Sequence, residues 1–262
     1  MAVVARAVPM ASIQQRIHDD VSRFGWHVVK VLGDEDFPAF AYTVGLTVTY
    51  EHPEVIVFGI GDDLDLMHHL LAVIQRRVEK GEAFHHGARK TGILPGVSCH
   101  FARFPTSAYE EHLGQAVRHL GGERSFSVVQ CIWPDKKRRL PWDPKVDLGL
   151  LARQPVFLRP DAGPRDPKWP FPEPHSRRAL TTKQVVRGEE PVRFAGRFDD
   201  GSYQLVCETT DDEDDLVWVT LGWLLDHDPS LRAIASLDLG EAKVRKEPGK
   251  PFRRVSPAED DG

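Results

Sequence analysis

Residues 37–59, FPAFAYTVGLTVTYEHPEVIVFG, constrain the fold more than any other stretch of this chain. Two apolar, strand-like runs, 39–44 and 55–60, stand either side of a short segment rich in special residues. Tyr42 and Thr43 close the first run, and Gly45, His52, Pro53 and Glu54 follow. A strand that only fills a core calls for Val and Ile, not a Tyr-Thr-x-Gly exit followed by His-Pro-Glu. The pattern points to polar groups held together at strand ends, where rigid scaffolds present their working residues.

The flanking sequence extends this into a sheet with helices. Ile13, Ile17, Val21 and Phe24 recur at helical spacing, with Ser12 as the expected N-cap and Gly25 as the stop. Residues 26–32 read as a strand and 33–36 as a turn. Asp62 or Asp63 is placed to cap a long helix carrying Leu66, Leu70, Ile74 and Val78 and ended by Gly81. Residues 85–96 read as loop and 97–104 as a strand. Thr106 or Ser107 opens one helix through Leu120, and 126–133 is again strand-like. This order predicts an α+β fold, a mixed sheet flanked by helices, rather than repeated βαβ units.

Seven of the twenty prolines fall in residues 155–174, so 151–177 reads as a Pro-rich linker between a first domain, 12–150, and a second small α+β domain, 178–254. In the latter, Asp199-Asp200-Gly201 sits between two apolar runs and predicts a hairpin. Residues 216–219 read as a strand, 221–225 as a helix and 242–245 as a last strand. Charge is uneven: residues 1–160 carry a net +1 and residues 161–262 a net −6. The whole-chain balance of −5 favours neither nucleic acid nor an anionic membrane as partner. No apolar run reaches the ~20 residues of a membrane span. The N-terminal MAVVARAVPM is too short and too broken by Arg6 and Pro9 for a signal peptide. A cytoplasmic location is expected.

The motifs GWHVVKV, FAYTVGL, HPEVIVFG, QCIWPD and LPWDP, taken in order, resemble a bacterial family known as domain of unknown function 4262, over about residues 12–145. That resemblance implies no catalytic residue and no cofactor. The second half resembles a small α+β domain of the immunity-protein type, about residues 178–254. The matching features are the start at 181–190, the glycine hairpin, the acidic residues that follow it and the His227-Asp228-Pro229 turn. Members of that type occur beside polymorphic toxins and are thought to neutralise them by binding, so the resemblance implies a toxin-like protein partner.

Chemistry can be read from three clusters. His52 and Glu54 have the residue types of a general base and its orienting carboxylate, with Tyr42 as proton donor and Thr43 and Gly45 beside them. Equally, Tyr42 can be a core residue, Gly45 a positive-φ position and His-Pro-Glu a strand start. Trp133, Asp135 and Trp142 flank the basic run 136–139 and can grip an anionic or aromatic ligand, or simply cover a sheet end. Asp211, Asp212, Glu213, Asp214 and Asp215 form an acidic run that lacks the spaced ligands of a calcium loop. It can be a solvated loop or a surface for a basic partner. The twelve histidines show no HExxH, Cys99, Cys131 and Cys207 no CxxC, and GxSxG, GxGxxG and GxxxxGK[ST] are absent, so no metal or cofactor is expected. The sequence thus predicts a binding protein, toxin-neutralising through its acidic second half, with an enzyme built on Tyr42, His52, Glu54 and Trp133 as the alternative.

Overall fold

A computed structural model describes residues 10–34, 37–60, 63–122, 125–160, 169–173, 177–247 and 249–255. The chain forms two compact units, Met1–Trp133 and Pro134–Gly262. The first opens with α1 (Met10–Phe24), which starts before Ser12, so Ser12 is an interior position and not the cap. Of its expected apolar face only Ile17 is fully buried, and Phe24 is 56% exposed. Strands β1 (His27–Val31) and β2 (Phe40–Val44) follow, then α2 (Leu46–Tyr50), β3 (Glu54–Phe58) and α3 (Leu64–Val78). Asp63 caps α3 by accepting from the amides of Asp65 and Leu66 at 2.9 and 3.0 Å. Helix α3 buries Met67, Leu70, Leu71, Ile74 and Val78, while Leu66 faces outward. Then come β4 (Arg89–Thr91), an edge strand inside the expected 85–96 loop, and β5 (Ser98–Arg103). The single helix expected over 106–120 is instead a 3-10 turn at Thr106–Ala108, α4 (Tyr109–His112) and α5 (Gly114–His119). Leu113, at φ −119 and ψ 25, leaves the helical region and breaks it. Strand β6 (Val128–Ile132) completes the unit.

The six strands run in the order β1-β2-β3-β6-β5-β4, antiparallel at each step except the parallel β3–β6 pair. Side chains alternate across the sheet. Ala41, Val55, Val57, Phe101 and Cys131 meet α3 on one face. Phe40, Tyr42 and Phe58 lie on the other, where Phe37 and His112 join them. Burying both faces requires near-continuous apolar strands, which is why β2, β3 and β6 are buried at every position.

The second unit holds α6 (Leu148–Arg153), β7 (Arg178–Thr182), α7 (Lys183–Val186), β8 (Phe194–Arg197), β9 (Tyr203–Val206), β10 (Leu216–Thr220), α8 (Leu221–His227), β11 (Glu241–Val244) and β12 (Arg253–Arg254). Its sheet order is β10-β7-β9-β8-β11-β12, with β7 and β9 parallel. Strands β8 and β9 form the hairpin expected at Asp199-Asp200-Gly201, where Gly201 takes φ 78. The mixed α+β character therefore holds in both sheets. The segment expected as a linker differs in its described parts, because it contributes to this unit. Val156 and Phe157 are buried, and the Val156 carbonyl accepts from Thr220 Oγ1 at 3.0 Å. Glu173, 8% exposed, ion-pairs with Arg197 at 2.6 Å and accepts from the Tyr203 hydroxyl at 2.9 Å. Residues 161–168 and 174–176 of that segment lie outside the described residues. Among the described residues no helix is long and apolar enough to cross a membrane.

Candidate functional site

The cluster that stands out in the sequence is a hydrogen-bonded knot. Glu54, fully buried, sends Oε1 to the amides of Gly45 and Thr47 at 2.9 and 3.0 Å, and Oε2 accepts from Thr43 Oγ1 at 2.6 Å. Thr43 Oγ1 in turn accepts from the Val55 amide at 2.9 Å. The carboxylate thus satisfies the first N–H groups of α2, which no local side chain caps. Burial pushes the Glu54 carboxyl up, against the opposing pull of the Thr43 hydroxyl and the surrounding amides. Gly45 is needed here. It sits at φ 112, and a Cβ would lie 2.9 Å from both the Gly25 carbonyl oxygen and Val21 Cγ2. Gly45→Ala is expected to cost at least about 2 kcal/mol in urea unfolding, from left-handed strain plus a backbone clash. A smaller change would show that this turn yields easily.

His52 is equally committed. Its Nδ1 donates to the Pro53 carbonyl at 2.7 Å, and its Nε2 accepts from the Phe84 amide at 2.9 Å. Both ring nitrogens are used by a neutral imidazole, and burial lowers its pKa. His52 packs on Phe84, which belongs to the core beneath α3, whereas Tyr42 faces the opposite side of the sheet. The base, carboxylate and phenol of the sequence reading therefore do not converge. Trp133 Nε1 donates to the Phe58 carbonyl at 3.1 Å. Asp135 and Trp142 belong to the second unit. There Asp135 accepts from the amides of Lys137, Arg139 and Asp147 at 2.8, 2.8 and 3.1 Å, which shapes the 135–147 loop. Trp142 packs under the Arg159 guanidinium at 5.8 Å.

Tyr42 has a different setting. It lines a groove of about 1010 Å³ in the first unit, walled by α1, β1 and the start of α5. That is the volume of a site for a small molecule or a short peptide. The phenol, 1% exposed, accepts from the Gln115 amide at 3.3 Å, and its own proton has no acceptor among the described residues. Burial pushes its pKa well up, so it stays a donor. Arg16, on the rim, has no carboxylate partner among the described residues, whereas two neighbouring basic side chains are engaged. Lys30 pairs with Asp65 at 2.6 Å and His27 with Asp20 at 2.7 Å. Arg16 and Gln115 were not singled out in the sequence. Arg16 is one of many polar residues on an amphipathic helix, and only tertiary placement distinguishes it.

The acidic run forms a 3-10 turn, Glu213–Asp215, whose cap Asp212 accepts from the Asp214 amide at 2.9 Å. Asp215 is tied inward to Lys183 at 3.2 Å, Gln184 at 2.7 Å and Thr210 at 2.8 Å, contacts that lower its pKa. Asp211, Asp212, Glu213 and Asp214 are exposed. Among the described residues no group of three or more His, Cys, Asp or Glu is arranged to hold a metal ion.

Residues 20–147 match the family model described as Domain of unknown function (DUF4262), which spans most of the first unit. No curated protein and no solved structure matches the chain.

Proposed function

We propose that this chain works by binding rather than by catalysis, as a cytoplasmic protein whose ligand site is the groove on the first unit. One observation carries this reading. Among the described residues Arg16 and Tyr42 keep unspent donors in the groove, while His52 and Glu54 commit their polar atoms inside the fold. A free guanidinium and a buried phenol proton together suit a carboxylate or carbonyl acceptor. Titration of the 15N-labelled chain with glutarate as a minimal dicarboxylate is the test. Saturable shifts are expected at residues 26–32, Tyr42 and Gln115, weakened roughly tenfold in Arg16→Ala, since charged hydrogen bonds of this kind are worth about 1.5–3 kcal/mol. No groove shifts, or equal affinity in the variant, would overturn it. Any turnover abolished by His52→Gln in a folded chain would restore the enzyme alternative.

A second reading concerns the acidic turn, in keeping with the immunity-type resemblance. Four exposed carboxylates held in a short fixed turn make a surface that steers a basic toxin-like partner. Because Asp212 and Asp215 shape the turn, the informative variant is Asp211→Asn/Glu213→Gln/Asp214→Asn. Against a panel of basic toxin domains, its association with a cognate partner is expected to slow several-fold at low salt. Equal rates for variant and parent would remove the steering role.

A further inference from the structure

Among the described residues, the groove follows a strand with a neighbour on one side only. Strand β1 is outermost in its sheet and pairs with β2 from His27↔Val44 to Val31↔Phe40. Successive residues of a strand point to opposite faces, so a cavity above one face touches every second residue. Here every residue from position 26 to position 32 lines the groove. The cavity therefore runs along the open edge, reaching Asp20 of α1 on one face and His68 of α3 on the other. Such an edge presents a row of backbone donors and acceptors with no strand beside them. At about 3.3 Å per residue, the five residues of β1 offer roughly 16 Å of it.

The flanks specify what fits. Phe24 and Leu32, near the two ends of the strand, are 56% and 79% exposed. Arg16 supplies a cation without a partner among the described residues, on the same face as the unmatched Tyr42 proton, whereas the carboxylates that also line the groove, Asp20, Glu110 and Glu111, each have a partner. We infer that the groove takes an extended acidic polypeptide segment, which pairs with β1 as a seventh strand and places a side-chain carboxylate on Arg16 and Tyr42. This rests on the reading of the groove as a binding site. Backbone pairing supplies affinity without regard to sequence, the carboxylate selects for acidic segments, and apolar residues at the ends cover Phe24 and Leu32.

The test uses the full chain and end-blocked seven-residue peptides in which Val alternates with Glu, Lys or Thr, plus an N-methylated form of the Glu peptide. The Glu peptide is expected to bind and to protect the amides of residues 26–32 from hydrogen exchange. The Lys and N-methylated peptides are expected to bind at least roughly tenfold more weakly, the size of one lost charged contact or of a blocked ladder. Arg16→Glu, at an exposed position whose change leaves the melting temperature near that of the parent, is expected to prefer the Lys peptide. Equal binding of the N-methylated peptide would overturn strand pairing, and equal binding of Glu and Lys peptides would overturn the acidic preference. Concentration-dependent protection of residues 26–32 without peptide would identify a second copy as the occupant and also overturn the inference. Glutarate binding without peptide binding sinks the inference and leaves the groove as a ligand site. If neither binds, both fall.

Discussion

Replacing Glu54 with Ala is expected to destabilise the first unit by about 3–5 kcal/mol. The side chain is fully buried and closes three contacts at once, from Gly45, Thr47 and Thr43. Its loss strands those donors away from water at the junction of β2, α2 and β3. Glu54→Gln keeps an acceptor for the two amides and an NH₂ group that can reach Thr43 Oγ1, so about 1 kcal/mol is expected there. The pH dependence separates the two roles of the group. Burial raises the carboxyl pKa above its ordinary 4.5, so between the unfolded and folded values the native chain holds more protons than the unfolded one. Its contribution is therefore complete below pH 4.5 and declines as pH rises through the folded value. Urea unfolding of parent and Glu54→Gln from pH 4 to 8 should show the parent losing stability relative to the variant as pH rises, the histidine titrations being common to both. A Glu54→Ala variant within about 1 kcal/mol of the parent would mean that the turn does not depend on its carboxylate.

What could be read in advance follows from how local each determinant is. Helix α3 carries its own apolar period and its own Asp63 cap, and the β8–β9 hairpin carries Gly201 at its positive-φ position, so both were legible. Helix α2 was not. Its sequence, LTVTY, is dominated by β-branched residues, and its N-terminus is satisfied by Glu54 from a later strand. Likewise Leu113 breaks a helix whose apolar spacing runs on without interruption. The polar residues at strand ends stand out as unusual, but residue type does not reveal whether a donor or an acceptor is spent. Glu54 is committed to the amides of Gly45 and Thr47 and the Thr43 hydroxyl, and His52 to the Pro53 carbonyl and the distant Phe84 amide, commitments that no spacing rule detects. The groove was harder still. It exists because β1 ends the sheet, and that depends on a strand order settled by β3–β6 pairing about seventy residues apart. Arg16 becomes distinctive only once that edge exists.

Acid should weaken the first unit well above the pH at which its carboxylates titrate, and His112 is the reason. Its ring lies among Phe37, Phe40, Phe58 and Phe104, with centroids 4.8, 5.5, 5.9 and 5.8 Å away. Burial in this aromatic setting lowers its pKa from 6.5 to about 4. Glu111 comes to 3.8 Å of Nε2 and would favour the cation, but its side chain is 53% exposed and well screened, so burial prevails. The sign follows directly. Between pH 6.5 and 4 the unfolded chain binds a proton that the folded chain refuses, so stability from this group is complete above 6.5 and drains away as pH falls toward 4. The drop amounts to roughly 3 kcal/mol for His112 alone. Burial also lowers the pKa of His52, His68, His119 and His227, which adds to the parent's acid sensitivity, so the measurement is a difference. His112→Phe keeps a ring in the cluster and removes the titration. Urea unfolding of both proteins from pH 7 to pH 4 should show the parent losing roughly 3 kcal/mol more than the variant. Parallel curves would mean that the folded cluster accepts the imidazolium, through solvent entry or through Glu111.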